Sequence, residues 1–217
     1  MKVSRLLPAP ILLDAQHEQV RATTGRLNRP ALHGSPAVLT RNMPMFDLPL
    51  VLSPLNPADL PAIDRLDARA FGPGRFVRSA YRLREGVDPD FALSFTARVG
   101  TLLVGANRMT SITCGGAPAL LLGPLTVEPA FHNRGIGSAL LARSLAAASA
   151  NNHKFILLVG DLSYYQRFGF RQVANGSLVM PGPVDPSRLL YRELADGAFA
   201  GVSGTVAAGE RKSPILS

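Results

Sequence analysis

The sequence predicts an α/β protein with a mixed, mostly antiparallel central sheet flanked by helices. Two observations carry this prediction. Three strand-forming stretches follow one another with only short turns between them, at 91–99, 102–112 and 119–127, which indicates antiparallel neighbours. A glycine-bearing loop and a helix over about 137–150 then connect the third stretch to a buried strand at 155–159. Such a crossover places the two strands that it joins in parallel.

The segment before these strands predicts one strand and a capped helix. Residues 48–52 are apolar and form the first predicted strand. Asn56 can cap the helix that follows, because Pro57 suits a first turn and Asp59 favours the positive end. The apolar face of this helix comprises Leu60, Ile63, Leu66 and Phe71. The run Gly72-Pro73-Gly74 ends the helix.

The two ends of the chain have weaker patterns. Residues 1–46 lack clear periodicity and are predicted to be a poorly ordered N-terminal extension. Closing strands are predicted at 170–173 and 189–194. From Gly197 onward Gly, Ala and Ser dominate, which predicts a flexible C-terminal tail over 197–217. The folded domain is therefore expected to span 47–196.

Composition excludes several classes of protein. The 217 residues are 47% hydrophobic, enough for one sizeable core, and no apolar run is long enough to span a membrane. The only cysteine, Cys114, excludes an internal disulfide framework and favours the cytoplasm. No histidine pair has metal-ligand spacing, so no metal is predicted. The net charge of +8 suits an anionic cofactor but also nonspecific nucleic-acid contact, which is the less favoured alternative.

The stretch from Leu121 to Ser138 carries the candidate site. It is predicted to be a strand that ends near Glu128, since Pro129 cannot donate to a ladder, followed by a loop that opens a helix. Gly135 and Gly137 let the backbone approach a ligand closely. The unpaired N–H groups at the helix start suit a phosphate, and Arg134 adds a cationic fork of donors.

The spacing of this loop differs from two common phosphate-binding motifs. A dinucleotide fingerprint would need glycine where Leu140 stands, and the Gly-Lys-Ser/Thr of a Walker loop is absent. The run His132-Asn133-Arg134-Gly135-Ile136-Gly137 instead resembles the acetyl-CoA loop of the GCN5-related N-acetyltransferase (GNAT) family, Gln/Arg-x-x-Gly-x-Gly/Ala, with His132 departing from it. Tyr165 to Phe170 resembles the second family signature, Tyr-x-x-x-Gly-Phe, and the order of elements is similar too.

The resemblance implies a splayed strand pair that holds acetyl-CoA as co-substrate. Three residues at the end of the central strand would pair with the pantetheine arm: Leu125, Thr126 and Val127. The cofactor phosphates would bind Asn133, Arg134, Gly135, Ile136, Gly137 and Ser138. Tyr165 matches the family's general acid, since a phenol stays protonated at neutral pH; its alternative role is packing. Glu128 is the candidate base, or a solvated edge residue.

The activity implied by the resemblance is transfer of an acetyl group from acetyl-CoA to a primary amine by direct attack. The acceptor is expected to be a small-molecule or peptide amine, and a homodimer is left open.

Four arginines on a second predicted helix, over 75–84, either select an acidic acceptor or form a solvated basic face, and the solvated face is favoured. They are Arg75, Arg78, Arg82 and Arg84. The alternative function is a noncatalytic CoA-binding module acting through protein or nucleic-acid contacts.

Overall fold

A computed structural model describes residues 49–73 and 79–209. The strands are β1 (Leu50–Pro54), β2 (Phe95–Val99), β3 (Leu102–Cys114), β4 (Ala117–Val127), β5 (Phe155–Val159), β6 (Arg171–Gln172), β7 (Leu178–Val179), β8 (Leu189–Glu193) and β9 (Gly204–Ala208). The α-helices are α1 (Leu60–Phe71), α2 (Ser79–Arg82), α3 (Ile136–Ala150) and α4 (Leu162–Tyr165). Short 3-10 turns precede α1 and follow α4.

The sheet has the order β1-β2-β3-β4-β5-β8-β6. Along this path only β4 and β5 run parallel, and α3 is the crossover between them. The predicted fold class, a mixed and mostly antiparallel sheet flanked by helices, is therefore confirmed. The predicted cap is present as well, because the Asn56 side chain accepts a hydrogen bond from the Ala58 N–H (2.9 Å).

Helices α1 and α3 cover opposite faces of the sheet. On β3, Arg108 pairs with Asp67 of α1, whereas the preceding Asn107 donates to Ser144 of α3 (2.8 Å). Successive strand residues point to opposite faces, so the two helices lie on opposite sides. The apolar residues of the predicted crossover helix recur at helical spacing and so predict one apolar face. In the structure this face of α3 is buried, at Ile136, Leu140, Leu141, Leu145 and Ala148.

Strands β4 and β5 diverge soon after they pair. In the described residues their ladder consists of Leu120 with Ile156 and Leu121 with Leu157. On its other edge β4 contains a bulge, because Gly123 and Pro124 together stand opposite the single residue Arg108 of β3. The edge of β4 from residue 122 to 127 is thus unpaired on the side of β5. This is the splayed strand pair that the resemblance implied.

The predicted loose tail is wrong for residues 197–209. Strand β9 pairs antiparallel with β3, from Ile112 to Cys114, and Val206 is buried. Phe199 packs edge-on against Phe155, with ring centroids 5.2 Å apart. The folded domain therefore extends past the predicted boundary at 196, because these long-range contacts supply the stabilisation that the local sequence lacks.

Other predicted boundaries shift by smaller amounts. The closing strand predicted over 170–173 is reduced to Arg171–Gln172, and the second helix is described only as Ser79–Arg82. The N-terminal extension over 1–46, the tail from 210, and the arginines at 75 and 78 lie outside the described residues.

A buried polar network joins α1 to the sheet. The Asp67 carboxylate, with 3% of the residue exposed, accepts hydrogen bonds from Arg108 of β3 and from the Thr126 hydroxyl of β4 (2.6 Å). Burial raises the pKa of Asp67, although Arg108 and Thr126 oppose that shift. The network holds α1 against the part of β4 that does not pair with β5, so it supports the geometry of the candidate site.

Asp67→Ala is expected to destabilise the protein by about 3 kcal/mol, because it removes the buried partner of Arg108 and leaves that largely buried charge only the exposed Asp64 carboxylate. Asp64→Ala is the matched control. Asp64 contacts the same guanidinium at 3.3 Å, but its side chain is 65% exposed, so its loss should cost less than about 1 kcal/mol. Chemical denaturation of the two variants measures both values. Equal stabilities would contradict a structural role for the buried pair.

Candidate active site

The unpaired edge of β4 leads directly into a backbone loop rich in free donors. Within the described residues, no hydrogen bond uses the N–H groups of 133 to 138. Asn133 and Gly135 adopt left-handed backbone conformations, with φ of +59° and +76°, which turn the chain sharply into α3. Residues 133 to 135 are exposed. The loop therefore presents consecutive donors to solvent at the positive end of a 15-residue helix.

The electrostatics of this loop favour an anion. The first turn of α3 contains no acidic residue. Arg134 is exposed and lies over the Phe131 ring, 5.4 Å from its centroid. A Cβ built on Gly137 would come within 3.3 Å of the Tyr164 hydroxyl, so a side chain there would fill the space above the helix start. The loop fits the phosphates of an acyl-CoA cofactor on these grounds.

His132 holds the loop to the strand before it. Its Nε2–H donates to the carbonyl oxygen of Val127 at 2.9 Å. The position where the family pattern has Gln or Arg thus carries a side chain that hydrogen-bonds the end of β4. This contact gives His132 a structural role in setting where the loop begins.

Tyr165 lies at the end of α4, next to the end of β5. Its ring is half-buried and packs so closely on Gly160 that a Cβ there would lie 2.4 Å from it. Edge-to-face contacts with Tyr164 and Phe170, at centroid distances of 4.9 and 5.7 Å, fix its orientation. Burial raises the pKa of Tyr165 above the usual value for a phenol. The hydroxyl is therefore protonated at neutral pH and can act as a proton donor.

Tyr164 has a different position from its neighbour. Its hydroxyl lies against Gly137 of the loop, as described above, and its ring lies under the Arg167 guanidinium at 4.3 Å from the ring centroid. These contacts give Tyr164 a packing role between the loop and Arg167.

Glu128 lies just after β4 and is in an ion pair. Its carboxylate accepts from Arg69 of α1 at 2.7 Å, and 26% of the side chain is exposed. The backbone N–H of Glu128 donates to the carbonyl oxygen of Val104 (2.8 Å), which fixes the residue at the end of the β3–β4 ladder. The carboxylate is thus accessible to solvent and is paired with a cation.

Three further residues contact the site, and of these the sequence analysis named only Arg84, as one of four arginines that either select an acceptor or form a basic face. Arg84 donates to the carbonyl of Gly123 (2.8 Å), the first residue of the bulge in β4. Asp67 hydrogen-bonds Thr126 from the same face. Arg167 donates to the Ser138 hydroxyl (3.2 Å) at the start of α3. Arg167 falls inside the Tyr-x-x-x-Gly-Phe signature, which was a usable signal, whereas the contacts of Arg84 and Asp67 depend on the tertiary structure.

Other chemistries find little support in the described residues. No group of three or more His, Cys, Asp or Glu residues there could hold a metal ion. Cys114 is buried, and burial raises the pKa of its thiol to about 12. A thiol that stays protonated is a poor nucleophile, which argues against an acetyl-cysteine intermediate.

No described helix has the length and apolar character that a membrane crossing requires.

Comparisons with known proteins agree with this geometry. The family model described as an acetyltransferase (GNAT) domain matches residues 93–172. The uncharacterized N-acetyltransferase YhbS of Escherichia coli K12 is 28% identical over 152 residues, which cover 69% of this chain and 90% of that protein.

Two solved structures share the fold. The crystal structure of E. coli YhbS in complex with CoA has a TM-score of 0.64 at 24% identity, covering 82% of this chain and 94% of that chain. A GNAT family acetyltransferase from Brucella melitensis, solved in complex with acetyl-CoA, has a TM-score of 0.50 at 25% identity, covering 70% of this chain and 99% of that one.

The matched segment contains β2 to β6, and so includes the splayed strands, the loop at 133 to 138 and the tyrosine signature. Residues 93–172 therefore match a domain of the GNAT acetyltransferase type. The family and the enzyme class predicted from the sequence are thereby confirmed.

Proposed function

We propose that the protein is an acetyl-CoA-dependent N-acetyltransferase that acetylates a primary amine by direct attack, without an acetylated enzyme intermediate. Bound acetyl-CoA supplies an acetyl thioester, whose carbon–sulfur bond is exchanged for a carbon–nitrogen bond to the amine. The chain itself has four functions in this reaction. It holds the phosphates, polarises the thioester carbonyl, accepts a proton from the amine and gives one to the sulfur.

Three of these functions are assigned first to parts of the site. The free N–H groups of 133 to 138 and the Arg134 guanidinium bind the phosphates. The free edge of β4 at Leu125, Thr126 and Val127 pairs with the pantetheine arm, and one of its amides donates to the thioester oxygen. The Tyr165 hydroxyl donates the proton to the sulfur.

The single observation that carries the proposal is the free edge of β4 running into the loop of unpaired donors. The test is release of free CoA thiol from acetyl-CoA in the presence of a panel of primary amines, with the acetylated product identified by mass. The panel includes small amines, amino acids and peptides with free N-termini. Failure of the folded protein to bind acetyl-CoA at all would overturn the proposal.

Two parts of the proposal rest on the sequence alone. The acceptor is a small-molecule or peptide amine of undefined class, and the compartment is the cytoplasm, where a protein with one cysteine is at no disadvantage. The noncatalytic alternative gains no support from a specific contact, since it needs no proton donor where Tyr165 lies.

Glu128 is proposed as the base that accepts the proton of the amine. Glu128→Gln should then lower kcat by about a hundredfold, within the range for loss of a general base, and leave CoA binding intact. Arg69→Gln is the matched control, because it breaks the same ion pair but keeps the carboxylate. Parent-like turnover in Glu128→Gln would assign the base elsewhere.

A further inference from the structure

The turn that follows α2 contacts β4 at its bulge. Arg84 lies in this turn, and its Nη1–H donates to the carbonyl oxygen of Gly123 at 2.8 Å. A hydrogen bond from a guanidinium is charge-assisted, and such bonds are stronger than those between neutral groups. The contact is partly buried and joins residues 39 positions apart in the chain. The Arg84 side chain is therefore engaged with the sheet.

The backbone around Arg84 is anchored next to β4. Its N–H donates to the carbonyl oxygen of Tyr81 (2.9 Å), and its own carbonyl accepts from the N–H of Val87 (3.1 Å). The preceding Leu83 is 2% exposed and belongs to the same core cluster as Leu121 of β4. The guanidinium thus reaches the bulge from a fixed position.

The bulge lies where the ladder between β4 and β5 stops. Within the described chain, the next pairs of a continued parallel ladder, Leu122 with Leu158 and Gly123 with Val159, do not form. Gly123 is buried, and a buried backbone carbonyl requires a hydrogen-bond partner. Arg84 supplies that partner from outside the ladder. The carbonyl of Gly123 is therefore satisfied without closing the gap between the two strands.

The Asp67 carboxylate connects Arg84 to the other end of the free edge. Attraction to the charge of Arg84 is one of the effects that oppose the rise in the pKa of Asp67, so the two charged groups are close together. Asp67 also accepts from the Thr126 hydroxyl at 2.6 Å. The turn after α2 and helix α1 therefore hold the free edge of β4 at two points, Gly123 and Thr126.

We propose that Arg84 is a positioning residue that keeps the edge of β4 free for the pantetheine arm, by fixing the Gly123 carbonyl and with it the bulge. The proposal rests on the proposed function, since it takes the arm to pair with β4. Without the guanidinium the bulge loses the contact that sets its shape, and the arm meets an edge of altered geometry. The cofactor phosphates would still meet an unchanged loop at 133 to 138.

The test is calorimetric titration of the full chain with CoA and with 3′-phosphoadenosine 5′-diphosphate, the part of CoA that lacks the pantetheine arm. The parent is expected to bind CoA about a hundredfold more tightly than this fragment, as a few hydrogen bonds to the arm allow. Arg84→Met should reduce that ratio to about tenfold, since one charge-assisted contact is lost, and should leave the affinity for the fragment unchanged. A merely structural role would change stability, or both affinities equally, and not the ratio.

Arg82→Met is the matched control. Arg82 is the last residue of α2, two positions before Arg84, and it also donates to a backbone carbonyl, that of Pro181 at 3.0 Å, which lies outside β4. Its removal should keep the ratio of the parent. Arg84→Gln is a second loss variant, shorter and neutral, and should lower the ratio in the same direction. Thermal denaturation checks that each variant folds.

The outcomes separate this proposal from the proposed function. Failure of the folded parent to bind CoA overturns the proposed function, and the role of Arg84 with it. Equal binding of CoA and the fragment by the parent overturns the pairing of the arm with β4 and therefore the role of Arg84. A parent-like ratio in Arg84→Met, or in Arg84→Gln if only that variant folds, overturns the role of Arg84 alone.

Discussion

Gly135→Asp is expected to abolish acetyl-CoA binding. The new carboxylate would stand among the free N–H groups at the start of α3, where the cofactor phosphates are proposed to bind. Two like charges about 4 Å apart near a protein surface repel by about 4 kcal/mol, so affinity should fall by at least about a hundredfold. The aspartate would also occupy donors that the cofactor needs.

The fold should survive this substitution. Gly135 has φ of +76°, and a Cβ there would meet nothing within 4 Å; aspartate is among the residues that tolerate this conformation. Gly176→Asp is the matched control, because Gly176 has φ of +79°, has the same free space and is exposed in the turn before β7. Calorimetry should show parent-like binding in the control. Parent-like binding in Gly135→Asp would remove the loop from the cofactor site.

Tyr165→Phe is expected to lower kcat by about a hundredfold, because loss of a general acid costs this much or more. Cofactor binding should persist, since phenylalanine keeps the ring contacts with Gly160 and Phe170. Because the pKa of Tyr165 is raised, the phenol stays protonated across the working pH range. The alkaline limb of the parent's pH–rate profile should therefore come from another group.

Tyr164→Phe distinguishes the role of the Tyr164 hydroxyl from that of the adjacent Tyr165 hydroxyl. The Tyr164 hydroxyl lies against Gly137 of the loop, so its removal should alter KM for acetyl-CoA more than kcat. Steady-state rates with the amine found in the transfer assay measure both variants. A loss of kcat in Tyr164→Phe alone would assign the acid to Tyr164. Unchanged rates in both variants would leave the site without a tyrosine acid and favour another proton source.

Local sequence signals predicted the parts of this protein that short-range physics determines. The cap at Asn56, the limits of β5 at Phe155 and Val159, and the apolar face of α3 follow from residues close together in the chain. The loop over 133 to 138, which is proposed to bind the phosphates, belongs to the same group, because its glycines and its place before an amphipathic helix define its geometry locally.

Only the tertiary structure decided the features that depend on distant residues. Strand β9 has no local apolar pattern and is stabilised by pairing with β3, some ninety residues earlier in the chain. The bulge at Gly123 is held by Arg84, and Asp67 reaches Thr126 across the packing of α1 on the sheet. Periodicity and motif spacing report on neighbours in sequence, whereas each of these contacts forms only when separate elements pack together.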